Sequence, residues 1–395
     1  MRLSERVKRI KPSPTLAITA KAQSMRAAGR NIINFGAGEP DFDTPDHIKK
    51  AAILAIEAGF TKYTPVGGIE ELKDAVVAKL KRDNGLEYGR SNVFVSCGAK
   101  HTLFNLAQVL FEAGDEVIIP APYWVSYPDI VVLSGATPVV VSTTDEDGFK
   151  LKADDLARAV TSKTKAVIIN SPSNPTGMAY SEADLKALAE VVLEKDLTVI
   201  SDDIYEKIAY EGFRFINIAM TGKEIKDRTI VVNGVSKTYS MTGWRIGYAA
   251  GPQDVISAAT DYQSQNTSNP TSISQKAAVA ALNGDQTPVA KMVKEFQKRR
   301  DYTVDALNGI KGVRCMKPQG AFYAFPNTAG LYGKSFKGRR VDGSVGLAAY
   351  LLDEAEVAVV PGDPFGNDDH IRLSFATSMK NIEEGLKRIR QALEG

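Results

Sequence analysis

The chain has 395 residues, of which 44% are apolar and 24% are charged, and its formal net charge is +2 at pH 7. This length allows two or three domains with a large core, and the composition is ordinary for a globular protein. Because the charge is nearly balanced, it supplies neither a basic surface for nucleic acid nor a cationic anchor for a membrane, and we expect neither partner.

The rarer residue types exclude further classes. The two cysteines, Cys97 and Cys315, cannot form a disulfide framework, and three histidines argue against a histidine-rich zinc site, so we expect no metal. The first residues, MRLSERVKRIKPSP, lack the apolar run of a signal peptide, and no apolar stretch approaches ~18 residues. These features favour a cytoplasmic protein.

The N-terminal region contains two predicted helices separated by a loop. The segments ITAKAQSMRAAG and HIKKAAILAIEAG have helical character, whereas INFGAGEPDFDTP between them is broken by proline. In that loop Gly36 and Gly38 permit a close approach of backbone that a β-carbon would block. The loop is therefore either an ordinary turn or a place where a ligand meets the backbone.

Repeated strand–helix units follow from about residue 91 to residue 251. Helix-like segments separate several of the apolar, β-rich runs, which are VFVSC, EVIIP, PVVVS, KAVIIN, LTVIS, TIVVN and RIGYAA. This alternation predicts an α/β fold, in which a mostly parallel seven-stranded sheet is covered by helices. The helix SEADLKALAEVVLEK within this region is expected to begin with Ser181 as its N-cap.

One strand–helix junction predicts an anion site. The strand VFVSC runs through Gly98-Ala99-Lys100 directly into the predicted helix HTLFNLAQVLFEAG, which we expect to end at Gly114. A small-residue turn at a helix N-terminus directs backbone N–H groups and the positive end of the helix dipole at an anion.

A lysine is predicted on a turn between two strands, because Ser236-Lys237 follows TIVVN and precedes RIGYAAG. Burial there would disfavour the ammonium form and make the amine a better nucleophile toward an aldehyde. Arg245, eight residues later, is always charged and suits a phosphate, and an aldehyde that carries a phosphate is pyridoxal phosphate. A buried lysine on such a turn is also compatible with a purely structural role.

Two further charged positions lie at or in predicted strands. The strand LTVIS ends in Asp202-Asp203, and a carboxylate at this edge of a sheet can hold a ring nitrogen protonated. The pattern alone does not choose between the two aspartates. Arg372, in the run HIRLSFA, would face inward and need a partner, for which a carboxylate is suited.

The C-terminal part mixes helices and strands. The charged run VAKMVKEFQKRRDYTVDAL predicts a solvated interdomain helix, and the runs GAFYAFP, VAVVPG and HIRLSFA predict strands of a smaller α+β domain. We expect an N-terminal arm with part of the small domain over residues 1–45, a large cofactor-binding domain over residues 46–285, and the small C-terminal domain over residues 286–395.

The segment SKTYSMTGWRIGY closely resembles the cofactor-lysine segment of class I, fold type I aminotransferases, which depend on pyridoxal 5'-phosphate. Other matching motifs occur along the chain in the family's order, from Gly38 to Arg372. The resemblance implies that Lys237 binds the cofactor through a Schiff base and then carries a proton between substrate and cofactor. One position departs from the family, since Gly234 stands where many relatives have a phosphate-binding serine.

The resemblance also assigns roles to the other matching residues. The family's D-x-I-Y motif selects Asp202 for the pyridine nitrogen, and Tyr63 would reach the cofactor of a neighbouring subunit, which implies a homodimer. Arg372 would grip the α-carboxylate of the amino-acid or 2-oxo-acid substrate. The implied cofactor contacts are Gly98, Ala99, Lys100, Trp124, Asn174, Asp202, Tyr205, Ser236, Lys237, Arg245 and Tyr63, and the implied substrate contacts are Gly38, Trp124, Asn174, Arg372, Lys100, Lys11 and Thr15.

Substrate preference follows from the branch of the family that the chain resembles. KPSPTLAITAKA, the G-A-K sequence and PYWVSYP resemble the branch with bacterial aspartate aminotransferases, some of which also act on prephenate. In that branch Lys100, Lys11 and Thr15 would meet the distal carboxylate. We therefore expect amino exchange between aspartate or glutamate and 2-oxoglutarate or oxaloacetate, with prephenate as a second acceptor.

Alternatives remain open from the sequence. A carbon–sulfur lyase, a cyclising synthase or an aminotransferase for neutral or aromatic amino acids would keep Lys237 and Asp202. A non-catalytic regulator on the same fold would need a partner domain. A nicotinamide-dependent dehydrogenase is disfavoured because no G-x-G-x-x-G motif occurs.

Overall fold

Strands and helices alternate through most of the chain. The computed structural model describes residues 2–10 and 14–394. The strands are β1 (Ile33–Asn34), β2 (Val93–Ser96), β3 (Glu116–Ala121), β4 (Thr137–Ser142), β5 (Thr164–Asn170), β6 (Thr198–Asp202), β7 (Thr229–Gly234), β8 (Gly247–Ala250), β9 (Tyr323–Ala324), β10 (Ser335–Phe336), β11 (Arg339–Arg340), β12 (Val357–Ala358), β13 (Val360–Pro361) and β14 (Ile371–Ser374). The helices are α1 (Glu5–Lys8), α2 (Pro14–Ala27), α3 (Asp46–Glu57), α4 (Glu70–Asn84), α5 (Ala99–Leu110), α6 (Ser126–Ser134), α7 (Ala153–Ala159), α8 (Glu182–Glu194), α9 (Lys223–Lys226), α10 (Gln253–Asn266), α11 (Ser272–Asn283), α12 (Thr287–Asn308), α13 (Gly343–Glu354) and α14 (Met379–Glu394).

The largest sheet has seven strands in the order β2-β8-β7-β6-β5-β3-β4. The pairs from β7 through β6, β5 and β3 to β4 are parallel, whereas β8 is antiparallel to both β7 and β2. All seven apolar runs of the sequence form these strands, so the predicted α/β fold with a mostly parallel seven-stranded sheet is confirmed. A sheet that is covered on both faces is expected to have continuous apolar strands of this kind.

Helices cover both faces of this sheet, as strand β7 illustrates. Ile230 and Val232 pack in a cluster with residues of α5, α6 and α10, whereas Val231 packs in a second cluster with residues of α3, α4 and α11. Successive side chains of a strand point to opposite faces, so a continuous apolar strand contributes to both clusters. The ends of β6 and β7 are therefore fixed from both sides.

The smaller sheets bring the two ends of the chain together. Strands β13, β14 and β9 form an antiparallel sheet, and β1 pairs in parallel with β12, with Ile33 opposite Val357. Phe35 and Phe375 belong to the apolar cluster of this region. This arrangement agrees with a smaller α+β unit that includes part of the N-terminal segment, and the predicted boundaries at residues 45 and 285 remain predictions.

Two helix predictions need correction and one is confirmed. Helix α5 ends at Leu110 instead of Gly114, because Phe111 is extended and its side chain is buried. Helix α12 is not simply solvated, since Phe296 is buried and Arg299 forms an ion pair with Asp41 at 2.7 Å. Helix α8 begins as predicted: its first free N–H groups are satisfied by a reciprocal Ser181–Asp184 capping box.

None of the described helices combines the length and the apolar character needed to cross a membrane.

The glycine that departs from the family pattern is explained by close backbone packing. A β-carbon at Gly234 would lie 2.9 Å from the carbonyl oxygen of Ile246 and 3.2 Å from the Cα of Gly247. These are backbone atoms of the β7–β8 pair, where Gly234 stands opposite Gly247, and they cannot rotate away. A serine at this position would require the two strands to separate.

We predict that Gly234→Ala lowers the free energy of unfolding by about 1–3 kcal/mol, because the added methyl group overpacks a rigid contact. The measurement is the midpoint of urea-induced unfolding. Gly243→Ala is the matched control, since a β-carbon there meets no atom within 4 Å. Equal midpoints for Gly234→Ala and the unmodified protein would contradict the packing argument.

Candidate active site

Lys237 lies in the connection between β7 and β8, and its amine is enclosed although part of the side chain is accessible. Its Nζ donates a hydrogen bond of 2.6 Å to the carbonyl oxygen of Gly38. Burial lowers the pKa of Lys237 to about 8, against an opposing effect of the Glu39 charge. The amine is therefore substantially neutral near pH 8 and able to act as a nucleophile or a base.

An anion cradle forms where Arg245 meets the start of α5. Its Nη2 donates to the Cys97 carbonyl oxygen at 3.1 Å and its Nη1 to the Thr242 carbonyl oxygen at 2.8 Å. Gly98, with φ +94°, is the N-cap of α5, and a β-carbon there would lie 2.3 Å from Arg245 Nη2. Within the described part of the chain Arg245 forms no ion pair, so a guanidinium and a helix N-terminus share a site that fits a phosphate.

The structure separates the two adjacent aspartates at the end of β6. Asp202 Oδ2 accepts a 2.6 Å hydrogen bond from the Tyr127 hydroxyl, and Oδ1 accepts one of 3.2 Å from the Ile204 N–H. Burial raises the pKa of Asp202 to about 6, although these hydrogen bonds and the Lys237 charge oppose the change. Asp203 turns the other way and accepts from Ser201 and Asn217. Only Asp202 faces the lysine.

Arg372 is buried on β14 and donates to two uncharged groups. Its Nη1 donates to Asn174 Oδ1 at 3.0 Å and its Nη2 to the Gly36 carbonyl oxygen at 2.8 Å. The guanidinium also packs on the Tyr323 ring, 4.6 Å from its centroid. In residues 2–10 and 14–394 its Nε has no hydrogen-bond partner. A buried cation with an unused donor and no carboxylate of its own fits an anionic ligand.

The two aromatic residues predicted to contact the cofactor ring each pack against a tyrosine. Tyr205 is buried, and its hydroxyl lies 2.8 Å from that of Tyr323. Trp124 packs edge to face against Tyr127, at 5.3 Å between ring centroids. Since Tyr127 and Tyr323 touch Asp202 and Arg372 respectively, both aromatic residues adjoin the charged groups of the site.

Lys100 lies in the first turn of α5, and Ser236 lies in the connection that carries Lys237. The Lys100 ammonium is 4.9 Å from the centroid of the Trp124 ring. Partial burial of this ammonium lowers the pKa of Lys100, and the Arg245 charge lowers it further. Ser236 is buried immediately before Lys237, and Ala99 is the first residue of α5.

One predicted residue lies apart from this group, and the side chains of two others are not described. Tyr63 projects from the surface with 90% of its area exposed. Lys11 lies outside the described residues. Thr15 is part of helix α2, but the structure does not describe its side chain. The predicted contacts of these three residues with ligands remain predictions.

The sequence reasoning missed three residues that hold the site together. Tyr127 donates to Asp202, Tyr323 contacts both Tyr205 and Arg372, and Asn170 donates to the Asp202 carbonyl oxygen at 2.8 Å. Asn170 ends β5, so its position at the same sheet edge as Asp202 was available from the strand pattern. The two tyrosines lie in segments whose aromatic residues are equally typical of a hydrophobic core, so the sequence pattern did not distinguish them as site residues.

We predict that the reactivity of Lys237 in the cofactor-free protein titrates with a midpoint near pH 8, because burial of the amine lowers its pKa to about 8. The measurement is the rate of modification of the Lys237 peptide by trinitrobenzenesulfonate from about pH 6 to pH 10, followed by mass spectrometry. A free lysine peptide, with an ordinary pKa of about 10.4, is the control. A rate for Lys237 that climbs in parallel with the control would refute the lowered pKa.

Comparisons with known proteins agree with this geometry. The sequence profile described as "Aminotransferase class I and II" matches residues 30–389. The chain is 52% identical over 397 aligned positions to the aspartate aminotransferase of Geobacillus stearothermophilus, covering 100% of this chain and 99% of that protein. It is 50% identical to the aspartate/prephenate aminotransferase of Nitrosomonas europaea, with 100% of both chains covered.

A solved structure gives the same result. The crystal structure of the aspartate aminotransferase from Rhizobium meliloti superimposes with a TM-score of 0.97 at 47% identity, covering 100% of this chain and 99% of that one. The arrangement of seven strands and surrounding helices is therefore that of fold type I. The chain belongs to the class I and II aminotransferase family.

Proposed function

We propose that the chain is a pyridoxal 5'-phosphate-dependent aminotransferase that exchanges the amino group between aspartate or glutamate and 2-oxoglutarate or oxaloacetate, with prephenate as a further acceptor. The observation that carries the proposal is the enclosed Lys237 amine between the Arg245 cradle and the buried Arg372. The names of the related proteins support aspartate and prephenate as substrates. The cytoplasmic location expected from the sequence is part of this proposal.

The cofactor contacts follow from the donor groups that are present. Arg245, the N-terminus of α5 and Ser236 would hold the phosphate. Asp202 would hold the pyridine nitrogen in its protonated form, with Tyr127 orienting the carboxylate. Asn174 and Tyr205 would face the phenolic oxygen. When bound, pyridoxal phosphate supplies the electron sink for the carbanion at the substrate α-carbon.

Lys237 is the proton carrier in this proposal. Its amine, with a pKa lowered to about 8, would accept the α-proton of the substrate and hold that proton for return on the cofactor side of the site. Gly38, whose carbonyl oxygen accepts from the Lys237 amine, helps to orient it. Lys237 thus acts first as the cofactor anchor and then as the acid–base group.

The substrate carboxylates would be bound at opposite ends of the site. Arg372 would bind the α-carboxylate, for which the unused Nε provides a donor. Lys100 would bind the distal carboxylate, because it is the cation that stands over Trp124. An ammonium tolerates varied carboxylate geometry better than the rigid guanidinium fork, which fits a site that takes more than one acid.

We predict that aspartate is the best amino donor of a panel that includes alanine and aromatic amino acids, and that Lys100→Ala lowers kcat/KM for aspartate by about 10- to 100-fold. The reason is the loss of a hydrogen bond to a charged group, about 1.5–3 kcal/mol. Exchange with 2-oxoglutarate or prephenate is measured by mass spectrometry of the amino-acid product. Lys186→Ala, on the exposed face of α8, is the matched surface control.

Two results would overturn the dicarboxylate assignment. One is that alanine or an aromatic amino acid outperforms aspartate in the unmodified enzyme, and the other is that Lys100→Ala keeps full aspartate activity. Release of ammonia or a thiol without amino transfer would instead favour a lyase. Lys237→Ala serves as the background, since it should bind cofactor without a covalent bond and transaminate negligibly.

We also propose a homodimer with sites at the subunit interface. Helix α3 exposes Ile53, Leu54 and Ile56, with 63% of Leu54 accessible, and this apolar face leads directly to the exposed Tyr63. Contact of a second subunit with this face would bury it. The same contact would bring Tyr63 to the neighbouring cofactor phosphate.

We predict that the protein sediments with the mass of two chains at assay concentration and that Leu54→Asp shifts it toward the monomer, because a charge in an apolar interface is costly to bury. The monomer should retain cofactor poorly, since it lacks the partner's tyrosine. Val345→Asp, at an exposed apolar position elsewhere, is the control and should leave the dimer intact. A fully active monomer would contradict this proposal.

A further inference from the structure

A buried ion pair lies behind the site and outside the residues that touch ligands. Lys79 on α4 and Glu206 in the turn after β6 are 2% and 5% exposed, and their charged groups are in direct contact. Asn84 bridges them, because its Oδ1 accepts from Lys79 at 2.7 Å and its Nδ2 donates to Glu206 at 3.1 Å. Removal of two charges from water is unfavourable, and an apolar pair would fill the same space.

This pair holds the turn that presents two site residues. The turn is closed by the Glu206 N–H donating to the Asp203 carbonyl oxygen at 2.9 Å. Between them, Ile204 donates its N–H to the Asp202 carboxylate, and Tyr205 presents its hydroxyl to the site. A displacement of Glu206 would therefore move both the Ile204 N–H, which donates to Asp202, and the Tyr205 side chain.

Neither of the two nearby aspartates competes with Glu206 for the charge of Lys79. Burial, followed by the Glu206 charge, raises the pKa of Asp203 well above its ordinary value, which favours its neutral form. Asp83, 3.9 Å from Lys79, is neutralised by Lys207 at 3.0 Å and by Arg82. Glu206 is therefore the acid that pairs with the charge of Lys79.

Tyrosines of the Lys237 connection and of β8 pack against helix α4 near this pair, in a cluster that includes Val76 and Leu80. Tyr239, two residues after the lysine, and Tyr248 on β8 both feel the Glu206 charge, which adds to burial in raising their pKa values. The charge pair therefore joins helix α4 to the turn after β6, and the lysine connection packs against the same helix.

We propose that Lys79 and Glu206 are positioning residues of the transaminase site, which fix Asp202 and Tyr205 against Lys237. This inference rests on the proposed function of Asp202 and Tyr205 as cofactor contacts. Neither Lys79 nor Glu206 touches substrate or cofactor in this arrangement, and they act through the turn.

The test uses Lys79→Met/Glu206→Met, which replaces the pair with apolar side chains and leaves no unpaired charge. The melting temperature of the cofactor-free variant should stay close to that of the unmodified protein. Its kcat for aspartate should fall by about 10- to 100-fold, because the acid beside the cofactor nitrogen is displaced. KM should change little, since Arg372 and Lys100 are untouched, and the cofactor dissociation constant should rise.

A second background shows whether the pair acts through Asp202. In Asp202→Asn, the same double substitution should change kcat and the cofactor dissociation constant by a smaller factor than in the unmodified enzyme, because the effect through Asp202 is already lost and only the effect through Tyr205 remains. Lys81→Met, on the exposed surface of α4, is the control and should match the unmodified enzyme. If the double variant does not fold, Asn84→Leu takes its place. This substitution removes the bridge and keeps both charges, so it should change kcat and the cofactor dissociation constant in the same directions by smaller factors.

Unmodified kcat and cofactor affinity in the double variant, or in Asn84→Leu when only that variant folds, would overturn the proposal. Additive losses with Asp202→Asn would also overturn it, since they would show a purely structural role. A wild-type enzyme that binds cofactor but does not transaminate aspartate would refute the proposed substrate instead. The cofactor dissociation constants would still decide the role of the pair in that case.

Discussion

The site depends on the confinement of three cations whose hydrogen-bond acceptors, among the described residues, are all uncharged. Arg245 and Arg372 donate to backbone carbonyl oxygens and an amide, while Lys237 donates to a carbonyl oxygen. Uncharged acceptors fix the geometry of a cation but leave most of its field available. The arrangement is therefore held in place by the protein and completed electrostatically by anions, as expected for a phosphate-bearing cofactor and a carboxylate substrate.

The sheet makes this confinement possible because it fixes the ends of neighbouring strands. Asp202 pairs with Val232 across the parallel β6–β7 ladder, so the acid stands beside the strand that leads to Lys237. The same strands are packed from both faces, and a buried charge pair between Lys79 and Glu206 ties the following turn to α4. The groups with perturbed pKa values thus lie at or just after the ends of strands that are packed from both faces, where side chains are buried and burial has its full effect.

The pKa values of the two central groups shift toward each other because burial acts on both. It lowers the pKa of Lys237 to about 8 and raises that of Asp202 to about 6. Both residues thus approach the pH at which an acid–base group works best. The hydrogen bond from Tyr127 limits the shift of Asp202, so its carboxylate form remains accessible at neutral pH.

The sequence by itself determined the fold class, the seven strands and the candidate lysine, because apolar periodicity and local motifs need no long-range information. It could not choose Asp202 over Asp203 without the family motif, since adjacent residues differ only in the face to which they point. Tertiary structure decided that, as it decided the buried face of α12 and the fit of Gly234 against β8. These outcomes depend on packing between segments distant in the chain, and no local pattern records which atoms will meet.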